Sequence, residues 1–419
     1  MRCPRQCGAT RRTAVMAAFF VVLAMSAAMQ AQSFTILHSF ADGEDGAYPK
    51  AGLAIDRAGN LWGTTSGGTS NASSAFELKQ AGSGWVLKPL FDFSYSDRGM
   101  YGYGLASKPA IARDGTLYAA APQGGNDNCQ IDCGLVLKLQ PPPNICSSVI
   151  CLWNATVLYA FNGLSDGMAP DQIILDSSGN IYGTTLYGGT GASCSGYGCG
   201  TVYQLTNSGG AWTKNTLYEF QGTDGQYPIG GVIFDAAGNL YGVADRGGAD
   251  NYGIVYELSP VGNGLWTETI LHSFLGTDGK YPLGPLLMDA SGNLYGTTQQ
   301  GGSDIGGTVF ELSQSSPGTW TLQTLYAFSV IPKATGGLAM DSAGNIYGTT
   351  QHAGVNNDGT VYKLTPSNGN WTYTDLHDFS ASDGSTPNGG PIVDANGNIY
   401  GTSYSGGSQG LGTAWKLTP

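Results

Sequence analysis

Asp-Gly pairs that precede a proline are the most frequent arrangement in this chain with the chemistry to bind a ligand. Examples are Asp224-Gly-Gln-Tyr-Pro228 and Asp278-Gly-Lys-Tyr-Pro282. Converging carboxylates bind Ca²⁺, and exposed tyrosines such as Tyr227 and Tyr281 stack on sugar rings. The aspartates of this set are Asp45, Asp166, Asp224, Asp278 and Asp383. The alternative role is structural: Asp-Gly forms a turn, each tyrosine packs between units, and the repetition favours this role.

Two other stretches depart from the surrounding pattern. His352 lies beside the position of the Gly-Gly pair of comparable stretches, as in Gln300-Gly-Gly302, and the stretch that carries Thr-Thr in other units ends here in Asp245-Arg246. A single histidine without an identified partner is more often incidental than catalytic, so we treat His352, Asp245 and Arg246 as ligand-binding candidates. The sequence contains no nucleophile elbow, zinc motif, phosphate-binding loop or evident pair of carboxylates. We therefore assign no catalytic residue.

The cysteines outside the N-terminal segment occur as three close pairs. These are Cys129 with Cys133, Cys146 with Cys151, and Cys194 with Cys199. In an exported chain such pairs indicate disulfides. A metal site is the weaker interpretation, because the pairs lie in different repeats and no histidine is near them. We expect no cofactor, with Ca²⁺ at the Asp-Gly loops as the one exception considered.

Residues 1–31 have the features of a secretory signal peptide. Arg2, Arg5, Arg11 and Arg12 precede an apolar run at 14–29, which is short for a membrane span, and small residues follow. The whole chain has 18 Lys and Arg against 30 Asp and Glu, and cleavage would remove four of the basic residues. No basic patch remains, which argues against nucleic acid and anionic lipid as partners. We expect a secreted or periplasmic protein that does not insert into a membrane after cleavage.

An aromatic residue after a Gly-Asn turn, which is Gly-Thr in the second unit, marks seven repeats spaced by 52 to 64 residues. The markers are Trp62, Tyr118, Tyr182, Tyr241, Tyr295, Tyr347 and Tyr400. Each repeat contains four short strand patterns, A to D, with the turn between A and B, as in Asp289-Ala-Ser-Gly-Asn293. Repeated four-stranded units of this length are typical of propeller blades.

The chain ends predict how the ring closes. The C-terminal unit stops after strand C, and Phe34-Thr-Ile-Leu-His-Ser-Phe40 has the pattern of an isolated strand D. We therefore predict an all-β, seven-bladed β-propeller over residues 33–419 that is closed by its N-terminal strand. The predicted units span 47–93, 103–161, 170–220, 228–274, 282–328, 335–379, and 387–419 with 33–40.

The repeats resemble a named family. Gly-Asn-Leu-Tyr-Gly-Thr-Thr, then Gly-Gly, then Gly-Thr-Val-Tyr-Glu-Leu, is similar to the GloVer tandem repeat of exported bacterial proteins. The resemblance covers about residues 34–419 and is clearest in units 3 to 7. It implies propeller-like repeats in an exported protein, with no established activity and no catalytic residues.

We expect function on the face that carries the D-to-A and B-to-C loops, because variable loops on a rigid scaffold usually bind ligands. Our main hypothesis is a monomeric, non-enzymatic protein that binds a carbohydrate or a cell-envelope partner there. One alternative is a polysaccharide lyase or glycoside hydrolase that uses channel carboxylates or His352. A second alternative is a structural surface protein without a saturable ligand.

Overall fold

The computed structural model describes residues 32–67, 73–93, 105, 107–125, 133–142, 153–191, 194, 196–316, 318–329 and 336–419. Within these ranges, twenty-eight strands form seven antiparallel four-stranded sheets, which are the blades of a propeller. The predicted fold class is therefore confirmed. No helix of the described part is long and apolar enough to cross a membrane.

Strand order is the same in every blade: A is innermost, B and C follow, and D is outermost. Blade 1 contains β2 (Ala54–Ile55), β3 (Leu61–Thr64), β4 (Ser73–Ala81) and β5 (Gly84–Phe93). Blade 2 contains β6 (Ala110–Ile111), β7 (Leu117–Ala121), β8 (Leu135–Gln140) and β9 (Asn154–Ala160). Blade 3 contains β10 (Met168–Leu175), β11 (Ile181–Tyr187), β12 (Thr201–Ser208) and β13 (Ala211–Glu219). Blade 4 contains β14 (Gln226–Phe234), β15 (Leu240–Arg246), β16 (Ile254–Gly262) and β17 (Leu265–Ser273). Blade 5 contains β18 (Lys280–Met288), β19 (Leu294–Gln300), β20 (Thr308–Ser316) and β21 (Thr319–Ala327). Blade 6 contains β22 (Ala339–Met340), β23 (Ile346–Thr350), β24 (Thr360–Ser367) and β25 (Asn370–Asp378). Blade 7 contains β26 (Ile392–Val393), β27 (Ile399–Ser403), β28 (Thr413–Thr418) and the N-terminal β1 (Ser33–Ser39).

The N-terminal strand closes the ring. β1 pairs antiparallel with β28, from Ser33 opposite Thr418 to Ser39 opposite Thr413. It is the strand D that the C-terminal unit lacks. The pairing covers the edge that β28 would otherwise expose, and it joins the two ends of the chain in one sheet.

The turn between strands A and B is built around one aspartate. Asp289 Oδ1 accepts hydrogen bonds from the backbone N–H groups of Ser291 (2.8 Å) and Asn293 (2.9 Å). Its Oδ2 accepts from the Asn293 side chain (2.8 Å) and the Tyr295 hydroxyl (3.2 Å). Gly292 supplies the positive φ of 86° that the turn requires. The repeated Asp-x-x-Gly-Asn stretch is therefore a self-contained turn that holds strands A and B together.

Aromatic rings hold neighbouring blades together. A phenylalanine that follows strand D packs edge-on or tilted against the aromatic residue in strand C of the next blade. Phe274 and Phe310, for example, have ring centroids 5.3 Å apart, and both side chains are fully buried. The equivalent pairs are Phe40–Phe76, Phe161–Tyr203, Phe220–Tyr256, Phe328–Tyr362 and Phe379–Trp415. The segments that end each D strand, such as Leu271-His-Ser-Phe274, thus contribute the phenylalanines of the contacts between blades.

Candidate binding site on one face of the propeller

The D-to-A and B-to-C loops share one face of the propeller, here called the loop face. They contact one another directly, through backbone bridges such as Ala47 with Gly67 and Ser385 with Ser405. The opposite face carries the tight Asp-x-x-Gly-Asn turns. The predicted site residues belong to the loop face.

The aspartates of the Asp-Gly loops stabilise their own loops. Asp224 Oδ2 accepts from the Tyr218 hydroxyl at 2.7 Å, and Oδ1 accepts from the Gln221 N–H at 2.7 Å. Asp278 accepts in the same way from His272 Nε2 and the Leu275 N–H, both at 2.8 Å. Asp45 and Asp166 accept from His38 and Tyr159, and Asp383 Oδ2 lies 3.2 Å from His377 Nε2. These bonds match the structural alternative for the Asp-Gly loops.

The geometry of the Asp-Gly loops does not support a calcium site. Burial opposes ionisation of Asp278, but the hydrogen bonds from His272 and Leu275 outweigh it and lower its pKa. The ionised carboxylate is therefore already satisfied by the protein. Among the described residues, no group of three or more His, Cys, Asp or Glu side chains lies close enough together to hold a metal ion.

Tyr227 and Tyr281 connect neighbouring blades through both backbone and side chain. Their φ angles are 59° and 58°, which is unusual for residues other than glycine. The Tyr227 N–H donates to the Cys199 carbonyl (2.9 Å), and the Tyr281 N–H donates to the Tyr252 carbonyl (2.8 Å). The Tyr227 ring packs against Tyr187, with centroids 5.4 Å apart. Both rings are half-buried, so part of each remains exposed, and ligand contact by either ring stays a prediction.

Asp245, Arg246 and Tyr281 come together with Tyr252 and Lys280 in what we call the rim cluster, between blades 4 and 5. The Arg246 guanidinium lies 4.0 Å from the centre of the Tyr281 ring, and its Nε is 3.1 Å from Asp245 Oδ2. Lys280 Nζ lies 4.1 Å from the centre of the Tyr252 ring. Burial raises the pKa of Asp245, although Arg246 opposes the shift. The cluster thus combines two aromatic rings with three charged groups.

His352 stands apart from the rim cluster, in the B-to-C loop of blade 6. It is half-buried, and among the described residues its side chain forms no hydrogen bond or ion pair. Its neighbour Gln351 lines the pocket described below. No described residue therefore contacts it as a partner for acid–base chemistry.

One predicted cysteine pair is present as a disulfide. Cys194 and Cys199 are bonded within the B-to-C loop of blade 3, and both are buried. Cys133 is also buried and disulfide-bonded. Cys129, Cys146 and Cys151 lie outside the described residues, so the pairs that they would complete stay predictions.

A cavity of 270 Å³, here called the axial pocket, lies where the inner strands of all seven blades begin. Its polar side chains come from Lys50, Lys108, Asp171, Gln172, Gln351 and Asn388. Its larger apolar side chains come from Ile229, Leu283, Pro285, Leu338 and Pro391. The pocket therefore has a polar part, built by blades 1, 2, 3, 6 and 7, and an apolar part built mainly by blades 4 to 6.

Sequence analysis missed the polar residues of this pocket. Lys50, Asp171 and Asn388 directly follow the proline of a D-to-A loop, and Ile229 and Leu283 follow the corresponding prolines of blades 4 and 5. A comparison across the repeats of the residue that follows this proline would have identified these pocket residues, which are polar in some blades and apolar in others.

Glycine backbones of neighbouring blades pack closely against one another in the lining of the axial pocket. A Cβ atom on Gly230 would overlap the backbone of Gly284, and one on Gly336 would lie 2.5 Å from the Gly390 nitrogen. Gly230, Gly284 and Gly336 also have φ angles of 81°, 75° and 83°. Glycine is required there for both reasons, and the pocket is consequently lined by peptide groups as well as side chains.

Asp171 and Lys108 are the charged groups of the pocket that protein surrounds most closely. Asp171 Oδ2 accepts a hydrogen bond from the Gly230 N–H at 2.7 Å. Burial raises the pKa of Asp171, while backbone hydrogen bonds and the charge of Lys50 act in the opposite direction. Burial lowers the pKa of Lys108. The pocket therefore combines a carboxyl group and an amine whose charged forms are both disfavoured by burial.

A second cavity, of 380 Å³, lies on the opposite face between the turns of blades 1 and 2. Its carboxylate, Asp56, already accepts hydrogen bonds from Ala58, Asn60 and Trp62 within its own turn. This cavity involves two blades, whereas the axial pocket draws residues from all seven. We therefore take the axial pocket as the main candidate site.

Comparison with solved structures gives likenesses of low identity. A gluconolactonase from Xanthomonas campestris is 13% identical, with a TM-score of 0.42 over 75% of this chain and 85% of that chain. A protein of unknown function from Dyadobacter fermentans is 12% identical, with a TM-score of 0.47 over 74% of this chain and 92% of that chain. Comparison with curated proteins finds no match.

The sequence itself matches a repeat family along nearly its whole length. The Gloeobacter/Verrucomicrobia repeat matches residues 23–193, 130–336 and 331–419. The three segments overlap and together cover all seven blades, which confirms the similarity to the GloVer repeat noted in the sequence. The chain belongs to the Gloeobacter/Verrucomicrobia repeat family.

Proposed function

We propose that this is an exported binding protein that takes a carbohydrate into the axial pocket on the loop face. The observation that carries the proposal is the lining of the pocket, which combines amide and charged side chains with Ile229, Leu283 and Leu338. A sugar ring has the same mixed character, with hydroxyl groups at its edge and apolar C–H groups on its faces. Ligand pockets generally combine an apolar wall with a few polar groups that fix orientation.

The size of the pocket supports a small ligand or the end of a longer one. Its 270 Å³ lies just below the usual range for ligand pockets, roughly 300–1,000 Å³. A single sugar ring suits this volume. A longer glycan would extend over the loop face, where the rim cluster offers tyrosine rings and charged groups for further contacts.

Export is supported by two features of the chain. Residues 1–31 have the composition of a signal peptide, and Cys194 is bonded to Cys199. Disulfides persist mainly in oxidising compartments outside the cytoplasm. A carbohydrate ligand is also in keeping with a protein at or beyond the cell envelope.

A thermal-shift screen of the purified protein against soluble monosaccharides and polysaccharides tests the proposal. A ligand that binds only the folded state raises its stability by about 2.7 kcal/mol at a hundred times Kd, so a saturable rise in Tm is expected with at least one carbohydrate. Gln351→Ala is expected to weaken the shift, because Gln351 lines the pocket. Gln323→Ala, on the outer strand β21, is the matched control and should leave it unchanged.

Three other results would lead away from this function. No shift with any carbohydrate would favour a protein partner or a structural role. A shift with Ca²⁺ that EDTA reverses, in the absence of sugar, would indicate a metal site. Breakdown of the bound carbohydrate would indicate an enzyme instead of a binding protein.

A further inference from the structure

The axial pocket has a different charge balance from the rest of the molecule. The chain carries 30 acidic residues against 18 basic ones. The described lining of the pocket carries two lysines, Lys50 and Lys108, against a single carboxylate, Asp171. A positive site in an acidic protein attracts anions locally, although the molecule as a whole repels them.

Asp171 interacts electrostatically with Lys50, and its single carboxylate can offset at most one of the two lysine charges. Its Oδ2 atom accepts from the Gly230 N–H at 2.7 Å, so the carboxylate is engaged by the backbone of the next blade. Among the described residues, neither Lys50 nor Lys108 forms an ion pair or a hydrogen bond. With two lysines and one carboxylate, the described lining of the pocket keeps an excess of positive charge.

Lys108 is the more informative of the two lysines. It retains some surface toward the pocket, yet protein surrounds its amine closely enough that burial lowers its pKa. A desolvated ammonium group without a partner costs free energy, which an anionic ligand would recover by pairing with it. Lys50 is exposed at the mouth of the same pocket and adds a second positive charge.

We propose that the axial pocket binds sugar acids, which are sugars that carry a carboxylate. Lys108 and Lys50 bind the carboxylate, because two ammonium groups can pair with its two oxygens. Asp171, Gln172, Gln351 and Asn388 are the groups available for the hydroxyls. Gln351 donates to the Asn388 side chain, so the two amides are held together and present one donor–acceptor surface. This inference rests on the proposed function and specifies the class of carbohydrate.

Isothermal titration calorimetry with three small ligands tests this inference. Glucuronate carries both a sugar ring and a carboxylate, glucose carries the ring alone, and acetate carries the carboxylate alone. At low salt, glucuronate is expected to bind at least tenfold more tightly than either glucose or acetate. The comparison separates the charge from the sugar ring as the source of affinity.

Two lysine variants test whether the charge of Lys108 causes the tighter binding of glucuronate. Lys108→Met keeps the length of the side chain and removes the charge, so it should weaken glucuronate binding at least tenfold and glucose binding by much less. Lys79→Met, at an exposed position of β4, should change neither. Melting temperatures of both variants without ligand establish that they are folded.

The outcomes separate this inference from the proposed function. Failure of every sugar, neutral or acidic, to bind would contradict both. Equal affinity for glucose and glucuronate, or full glucuronate binding by Lys108→Met, would overturn the inference and leave carbohydrate binding intact. Acetate that binds as tightly as glucuronate would overturn the sugar part, because the pocket would then be a site for small anions.

Discussion

The surroundings of Glu268 disfavour its negative charge. It lies on β17, at the position that Lys214 occupies on β13 of the preceding blade. Lys214 Nζ lies 3.1 Å from Asp166 of the adjacent Asp-Gly loop. Glu268 instead interacts with another carboxylate, Asp224, and among the described residues its Oε1 atom is buried without a hydrogen-bond partner. Burial, together with the charge of Asp224, raises the pKa of Glu268 to about 7.

The raised pKa of Glu268 predicts that the protein loses stability as the pH rises from about 4.5 to about 7. The folded protein holds a proton on Glu268 that the unfolded chain has already released, so raising the pH through this range lowers the free energy of unfolding. Glu268 is half-buried, and allowing for solvent screening the loss is about 1 kcal/mol. Glu268→Gln should remove it, and Glu268→Lys should pair with Asp224. Urea unfolding of the three proteins at pH 4.5 and pH 8 measures the effect.

The stabilities of the three proteins at pH 8 test the role of Glu268. Both variants should be more stable than the unmodified protein there, with Glu268→Lys at least equal to Glu268→Gln. If the unmodified protein and Glu268→Gln respond identically to pH, Glu268 does not cause the dependence.

Within each blade, a glycine in strand B makes room for an aromatic ring in strand C. Tyr256 of β16 lies across Gly242 of β15, and the Tyr256 hydroxyl is buried without a hydrogen-bond partner among the described residues. The same position is Phe76 in blade 1 and Phe310 in blade 5. The ring, rather than the hydroxyl, is what the packing of the blade requires.

Tyr256→Phe is therefore expected to preserve or raise stability, by up to about 1 kcal/mol, because it removes a buried hydroxyl without a protein partner. Gly242→Ala should cost about 2 kcal/mol or more, because the added Cβ would overlap the Tyr256 hydroxyl. Gly84→Ala is the control, since a Cβ at Gly84 would approach nothing closer than 4.0 Å. Thermal unfolding of the three variants gives the ranking, and a destabilised Tyr256→Phe would mean that the hydroxyl holds a buried water.

On the scale of the whole molecule, the seven blades depend on one terminal strand for closure. β1 covers β28 along its length, and Phe40, directly after β1, packs against Phe76 of blade 1. β1 therefore completes blade 7, and the residue after it continues the contact into blade 1. Without β1, the edge of β28 would be free to pair with another chain.

Removal of residues 1–40 is expected to lower the melting temperature and to cause self-association through β28. Removal of residues 1–31 leaves β1 in place and serves as the control. Size-exclusion chromatography and thermal unfolding compare the two proteins. A synthetic peptide of residues 32–40 should restore a monomer by adding the missing strand, whereas an unchanged monomeric truncation would show that β1 is dispensable for closure.

The sequence alone determined the architecture, because the information for a blade is local. The Asp-x-x-Gly-Asn turn forms its hydrogen bonds within seven residues, as Asp289 to Tyr295 illustrates. Alternating apolar residues then define the strands on either side. The match between residues 34–40 and the other D strands was enough to predict closure of the ring.

The tertiary structure alone decided which side chains meet on the loop face. The hydrogen bonds and ring contacts of Asp224 and Tyr227 are local or reach the neighbouring blade, and spacing alone did not distinguish turn from ligand site. Lys50, Lys108, Asp171 and Asn388 are separated by up to 338 residues, and they line one pocket only because the ring closes. Whether a charged group is desolvated, paired or free depends on which side chains from other repeats lie beside it. The sequence of a single repeat does not contain this information.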